Sequence, residues 1–391
     1  MHLSAVLRRV VRPRRSTAAA LLLVPLPLWA VAHGGEAATG PADAATEANV
    51  PAETAAGAPA SVAAMAVEPA SATVTVDDRA IEPAPATVTV DPGLRPLRAA
   101  ARPSTTFDPQ RAPFALEVDG QPVPYRVMAV LALPGRPLAI EIVGGGAAHA
   151  LVHAGGVASV DGPGRWRWTP PEEPGIHALR IEGPAGTVAL NVLVLHPRDE
   201  VEGGRMHGYD IGAYREEPLR GSPLYLPPAG FVEMGAEDAD VLLSPHLTLG
   251  QFRCKQPGEP QYLHVTPALL LKLEALLEAV NDAGYAAPTL HVMSGFRTPA
   301  YNRAIGNTTS YSRHLWGDAA DVWVDADGDG EMDDWNGDGR VDTADARILL
   351  RIAEGVEGKD GVLPGGLGLY RRNAVHGPFV HVDARGYAAR W

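Results

Sequence analysis

Cysteine is nearly absent from this chain. A single one, Cys254, stands among 391 residues, which excludes an intramolecular disulfide and a cysteine-built structural zinc site. The residue reads as a half-buried thiol, and with no histidine beside it a cysteine transpeptidase is excluded too. No G-x-S-x-G occurs, which removes the usual serine hydrolase. Basic surplus is also missing. The formal charge is −13, and no stripe of Lys and Arg is available to neutralise phosphates, so nucleic acid is not the partner. The longest apolar run, Thr17 to Ala32, is short and broken by proline, too little for a comfortable membrane span.

That run follows Arg8, Arg9, Arg12, Arg14 and Arg15 and ends in Ala30-Val31-Ala32, a small-x-small cleavage pattern. Residues 1–32 are therefore expected to be a signal peptide and the protein to be exported, to the periplasm or cell envelope or beyond, with no stable membrane span after cleavage. Residues 33–108 are rich in Ala, Pro, Thr and Glu and poor in aromatics, and EPASATVTVD at 68–77 returns as EPAPATVTVD at 82–91. Such a composition buries too little apolar surface to offset its ordering entropy, so a disordered tether is expected.

From 109 to 198 the pattern becomes short apolar runs (FALEVDG, YRVMAVLAL, LAIEIVGG, TVALNVLVL) separated by Gly and Pro turns, which predicts an antiparallel β-sandwich. Trp166-x-Trp168-Thr-Pro-Pro and the run after it resemble bacterial immunoglobulin-like modules, with the two tryptophans as core packing. Residues 199–248 form a connector with isolated strands such as Pro223–Leu226. Thr266 and Pro267 open a helix with leucines at helical spacing, and Gly284 is its stop. The fold class expected is thus multidomain, an all-β Ig-like sandwich followed by an α+β domain (249–391) with a central antiparallel sheet.

The chemistry concentrates in Ser312-x-His314-x-x-Gly317-x-Ala319-x-Asp321. An imidazole and a carboxylate meet across a short Gly/Ala turn, a donor pair suited to a borderline ion such as zinc. Period-two alternation puts Asp321 and Trp323 on one strand face, and Phe379, His381 and Asp383 on one face of the last apolar strand. Pairing these strands sets Asp321 beside His381, and His314 folds back to complete three ligands, leaving a fourth position for water.

Together with Ser294-Gly295-Phe296-Arg297-Thr298-Pro299-x-Tyr301-Asn302, the GLGLY run at 366–370 and FVHVD at 379–383, this stretch resembles the zinc D-alanyl-D-alanine carboxypeptidase family, its murein endopeptidases in particular. The resemblance covers 249–391. It implies zinc on His314, Asp321 and His381, Arg297 holding substrate and stabilising the oxyanion, and peptidoglycan peptides as substrates. The family places an acidic or histidine base two or three residues before the last ligand, where this chain has Phe379 and Pro378. Asp383 is the preferred substitute and His376 the second, with Asp383 as a ligand-orienting partner the alternative.

Between the zinc ligands, Asp334, Asn336, Asp338, Asp342 and Asp345 fall on the oxygen schedule of an EF-hand loop, with the Arg340 carbonyl at position 7, so calcium is a second expected cofactor. The loop resembles a dockerin repeat, Asp325-x-Asp327-x-Asp329-Gly330 is a poorer copy, and the insertion spans 325–345. The functional expectation is a zinc peptidase. The alternative is a zinc-containing wall-binding or signalling module without catalysis.

Overall fold

The computed structural model describes residues 86–100, 106–145 and 148–391. The expected signal segment and the first repeat copy lie outside these residues. The described part belongs to one compact unit. No helix in it is long and apolar enough to cross a membrane.

Two five-stranded sheets build the first half. One runs in the order β1 (Thr87–Val90), β6 (Ala150–His153), β9 (Gly175–Gly183), β10 (Gly186–Val194), β4 (Val127–Ala132). The other runs β3 (Gln121–Pro122), β2 (Leu116–Val118), β5 (Leu138–Ile142), β8 (Arg165–Thr169), β7 (Val157–Gly162). The alternation seen in the sequence is the one the strands use. In β8, Trp166 and Trp168 are buried while Arg165 and Arg167 face solvent, Arg165 reaching Glu141 at 2.9 Å. Two expectations need correction. The pairing is mixed, because β1 runs parallel to β6 and β10 parallel to β4. The second repeat copy is also not all tether, since its Thr-Val-Thr-Val alternates well enough to add β1 as an edge strand.

Residues expected to be a connector are built into the same core. Met206, Tyr209, Ile211 and Phe231 are all buried there, and Cys254, beyond the connector, is buried completely rather than by half. Pro223–Tyr225 is a 3₁₀ turn and not a strand, because proline fixes φ at its first position and the Ser222 hydroxyl accepts from Leu224 N. A hairpin, β12 (Arg205–Met206) and β13 (Tyr209–Asp210), is inserted between the first two strands of a sheet of β11 (His196–Pro197), β14 (Gly230–Met234) and β17 (Gln261–Leu263), with β14 in the middle. A second hairpin pairs β15 (Leu242–Ser244) with β16 (Leu247–Thr248).

The second half centres on a five-stranded sheet ordered β18 (His291–Ser294), β19 (Ala319–Trp323), β21 (Phe379–Asp383), β20 (Gly366–Tyr370), β22 (Ala389–Arg390), antiparallel except for the β20–β22 edge. Helices α1 (Pro267–Asp282) and α3 (Thr343–Val356) pack on each other and α3 on the sheet, while the short α2 (Pro299–Ala304) follows β18. α1 begins as expected: Thr266 Oγ1 accepts from Leu269 N at 3.3 Å, and Gly284 takes the left-handed φ of +90° after its end. Leu269, Leu270, Leu273, Leu276 and Leu277 are buried, as is Lys272, which donates from Nζ to the Asp383 carbonyl at 2.7 Å and pairs with Glu357. One apolar core runs from the paired sheets into this half.

Asn191 ties β10 to the segment after β1 and to β15. It is 1% exposed in mid-β10, its Oδ1 accepts from Leu97 N at 2.9 Å, and its Nδ2 donates to the carbonyls of Leu97 (2.9 Å) and Leu242 (2.8 Å). Asn191→Leu strands these buried groups and should cost roughly 2–4 kcal/mol in urea unfolding. A change below about 0.5 kcal/mol would show that the contact is dispensable.

Candidate metal centre

Asp321 occupies the middle of β19, between Ser294 of β18 and His381 of β21, in the register expected from alternation. His314 comes from the single 3₁₀ turn Arg313–Trp316. Gly317 ends that turn at φ +67°, and a Cβ there would lie 2.1 Å from the His264 carbonyl oxygen, so only glycine lets the chain pass into β19. Arg313 braces the same turn: its Nε donates to both oxygens of buried Asp318 (2.9 and 3.0 Å), and its guanidinium lies 4.6 Å from the Tyr225 ring centroid.

The three side chains converge. One ligand atom each from His314, Asp321 and His381 lies within 4.8 Å of the others, and all three residues are buried. His314 Nε2 is 3.3 Å and His381 Nδ1 2.9 Å from Asp321 Oδ1. The outer nitrogens are held from behind. His314 Nδ1 is 2.7 Å from the Gly295 carbonyl, and His381 Nε2 is 3.2 Å from Asp383 Oδ2. The Gly295 carbonyl can only accept, so the proton of a neutral His314 belongs on Nδ1 and its Nε2 faces Asp321 as a lone pair. His381 lies between two carboxylates, Asp321 on Nδ1 and Asp383 on Nε2, and with its proton on the Asp383 side Nδ1 joins His314 Nε2 and Asp321 Oδ1 in aiming lone pairs at one point. Two nitrogens and an oxygen so arranged fit a zinc ion, with an outer partner behind each imidazole.

Charge in the cluster is strongly coupled. Burial alone would raise the Asp321 carboxyl, but His314 and His381 outweigh it and hold it well below the usual range. Burial lowers His314, with only partial compensation from Asp321. Burial also pulls on His381, yet its contacts with Asp321 and Asp383 push it up to about 8. The second Asp321 oxygen is taken by Arg297, whose Nη2 donates to Oδ2 at 2.7 Å while its Nε donates to Ser294 Oγ at 2.8 Å.

Arg297 also lines a cleft of about 1140 Å³. The three candidate ligands are not part of that lining, so Arg297 is the group shared by cleft and cluster. Its cationic walls are Arg253, Lys255, Arg297 and Arg372, against one acidic residue, Glu331, which is paired with Arg372 at 2.6 Å. Burial, then Arg297, lowers Lys255.

Of the two candidate bases, Asp383 is moved to a different role. It is fully buried on the Nε2 side of His381, away from Asp321, and accepts from Arg385 Nε (2.9 Å) and Nη2 (2.6 Å) and from Gly366 N (2.7 Å). Burial would raise its carboxyl, but His381 and Arg385 hold it well below the usual range. That is the setting of a ring-orienting partner, not of a base facing substrate. His376 does line the cleft, with Nδ1 2.8 Å from the Gly377 carbonyl and Nε2 2.8 Å from Asn373 Nδ2.

The side chains of the expected calcium set accept amides of their own loop. Asp334 accepts from Gly337 N (2.9 Å) and Gly339 N (2.7 Å), Asn336 from Asp338 N, and Asp338 from Arg340 N. Asp342 caps α3 by accepting from Ala344 N, and buried Asp345 accepts from Trp335 N, Asn336 N and Asp342 N. Among the described residues, the carboxylates of this insertion drawn within 4.8 Å are Asp325, Asp327 and Asp333, in the poorer copy. Calcium on the later loop is not supported by this geometry.

Residues 245–335 match the Peptidase M15 family, a span that holds Arg297, His314 and Asp321 and stops before His381. The match supports the M15 zinc peptidases, hence a zinc-dependent peptidase. No curated protein matches the chain. A solved nucleoside hydrolase-related hypothetical protein from Saccharophagus degradans, associated with carbohydrate metabolism, is similar at 17% identity over 20% of this chain and 25% of that one. Its TM-score of 0.14 carries no argument.

Because zinc must displace the His381 proton, affinity depends on pH. A pKa raised from 6.5 to about 8 adds stability to the metal-free fold below 6.5, and that contribution is lost as pH rises through about 8. Zinc binding runs the other way. Chelator competition should show affinity rising about tenfold per pH unit toward pH 8 and then flattening. A flat profile over that window would remove His381 from the ligand set.

Proposed function

We propose that this protein hydrolyses peptide bonds of bacterial peptidoglycan, a D-amino-acid-containing cross-link or stem peptide, as a zinc-dependent enzyme of the periplasm or cell envelope. The observation that carries the proposal is the convergence of His314 Nε2, Asp321 Oδ1 and His381 Nδ1 beside Arg297 at a cationic cleft. Zinc held by His314, Asp321 and His381 supplies a Lewis acid for the scissile carbonyl and a water acidified toward neutrality.

The chain's own residues do the rest. Arg297, fixed by Asp321 and Ser294, presents a positive charge where the attacked carbonyl becomes negative. Arg253, Lys255 and Arg372 attract the free carboxylates that stem peptides carry, although the whole chain is acidic. Asp383 and the Gly295 carbonyl hold the two imidazoles in their ligating tautomers. His376, the histidine of the 371–378 loop at the cleft wall, is assigned to proton transfer. One observation favours a second reading. Pro378 and Phe379 stand where related peptidases carry a base, and Asp383 is committed to Arg385, as in a non-catalytic zinc-containing wall-binding or signalling module.

Digestion of defined linear and cross-linked muropeptides, followed by mass spectrometry, separates the readings. The parent should release a product whose mass identifies the bond, and His314→Ala should release none. A zinc-loaded parent that leaves every muropeptide intact supports the second reading. Within the enzyme, Arg297→Met should lower kcat by roughly 10²–10³. His376→Gln should lower it by roughly 10²–10⁴ at unchanged zinc content, and parent-level turnover would release His376 from the assignment.

A further inference from the structure

A second convergence of imidazole and carboxylate lies outside the M15 match, where the paired sheets hand over to the second half. His196 stands on β11, Glu200 in the 3₁₀ turn four residues on, and His207 at φ +46° in the turn between β12 and β13. One ligand atom from each lies within 4.8 Å of the others. Glu200 Oε2 is 2.9 Å from His196 Nδ1 and 3.5 Å from His207 Nε2. Both remaining ring nitrogens are engaged from behind by the neighbouring sheet. His196 Nε2 is 3.3 Å from Glu233 Oε2, and His207 Nδ1 is 2.9 Å from Tyr262 Oη. Tyr262 itself donates to Glu233, its cross-strand neighbour on β14 and β17.

Following the protons gives the same result as at the first cluster. His196 lies between two carboxylates that can only accept, Glu200 at 2.9 Å on Nδ1 and Glu233 at 3.3 Å on Nε2, and with its proton on Nε2 it offers Nδ1 as a ligand. Tyr262 gives its single proton to Glu233, so its oxygen accepts, and His207 carries its proton on Nδ1. His207 Nε2 is thereby left as a lone pair, and in that His196 tautomer two imidazole nitrogens and one Glu200 oxygen face one point, a donor set that a cation between them can take up. The two histidines share no residue with His314, Asp321 and His381, and they differ from an acidic surface cluster in that nitrogen supplies two of the three donors.

We propose that His196, Glu200 and His207 bind a second divalent transition ion, zinc by preference, with Glu233 and Tyr262 as the partners that fix the imidazoles. Two nitrogens and one carboxylate oxygen select zinc or cobalt over calcium and magnesium. Glu200 and His207 are partly open to solvent, so water completes the coordination, and the ion clips the 198–210 segment to the β11–β14–β17 sheet. Bound only by the folded chain, it also stabilises that seam by mass action.

The test is zinc stoichiometry on the full chain after chelator stripping, read by mass spectrometry of the metal. The parent should take up about two equivalents, His314→Ala about one, His207→Ala about one, and the double variant none. Glu200→Gln, close to isosteric, should weaken the remaining site of His314→Ala about tenfold or more. In the His314→Ala background, cobalt should give a visible absorption band that His207→Ala abolishes, which reads this site without muropeptide turnover. A His314→Ala chain that binds no zinc, or whose zinc is untouched by both His207→Ala and Glu200→Gln, overturns the proposal. Either result leaves the peptidase reading standing.

Discussion

The Asp321 carboxylate is the constraint on which the rest of the site depends. One oxygen is held by Arg297 and the other faces His314 Nε2 and His381 Nδ1. A buried charge costs several kcal/mol unless it is paired, so the fold has to bring positive charge to this point. Arg297 provides one fixed charge. Without a metal, a proton on His381 provides part of another, which is why that imidazole is pushed up while Asp321 is held down. A divalent ion on the same lone pairs removes the need for the proton.

Everything around the cluster limits how these groups can turn. Asp321 sits on the second strand of a five-stranded sheet, so its Cα cannot shift without breaking two ladders. Behind His381, Asp383 is itself clamped by Arg385, and its carbonyl by Lys272 from α1. Behind His314, the Arg313–Asp318 pair and the close passage of Gly317 under His264 fix the turn. This is the arrangement a preorganised site requires: ligands on rigid elements, with a second set of hydrogen bonds choosing the tautomer.

Much of this was legible in the sequence because it follows from strand periodicity. Alternation in Ala319–Trp323 and Phe379–Asp383 is enough to put Asp321 opposite His381, and Gly317 is enough to return His314 to them. Alternation also put His381 and Asp383 on one face. It could not say that Asp383 would meet the far side of the ring, because that depends on Arg385 and on Gly366 from another strand. The acidic insertion is ambiguous for a related reason. Oxygens at every second residue suit an ion, but they equally suit turns in which Asp334, Asn336 and Asp338 accept their own loop's amides, and only the backbone path distinguishes the two. The parallel pairing of β1 with β6 and the His196–Glu200–His207 group come from long-range packing that no local period announces.

The cationic cleft on an acidic chain, the shared Arg297 and the tautomers set from behind describe one hydrolytic centre. Its central claim is a metal held by particular atoms. The most direct measurement is an anomalous-difference map from crystals of the zinc-loaded chain, recorded at the zinc absorption edge. The account predicts a peak bonded to His314 Nε2, Asp321 Oδ1 and His381 Nδ1, with Asp383 still on His381 Nε2. No peak among these three residues, or coordination through His381 Nε2, would contradict it.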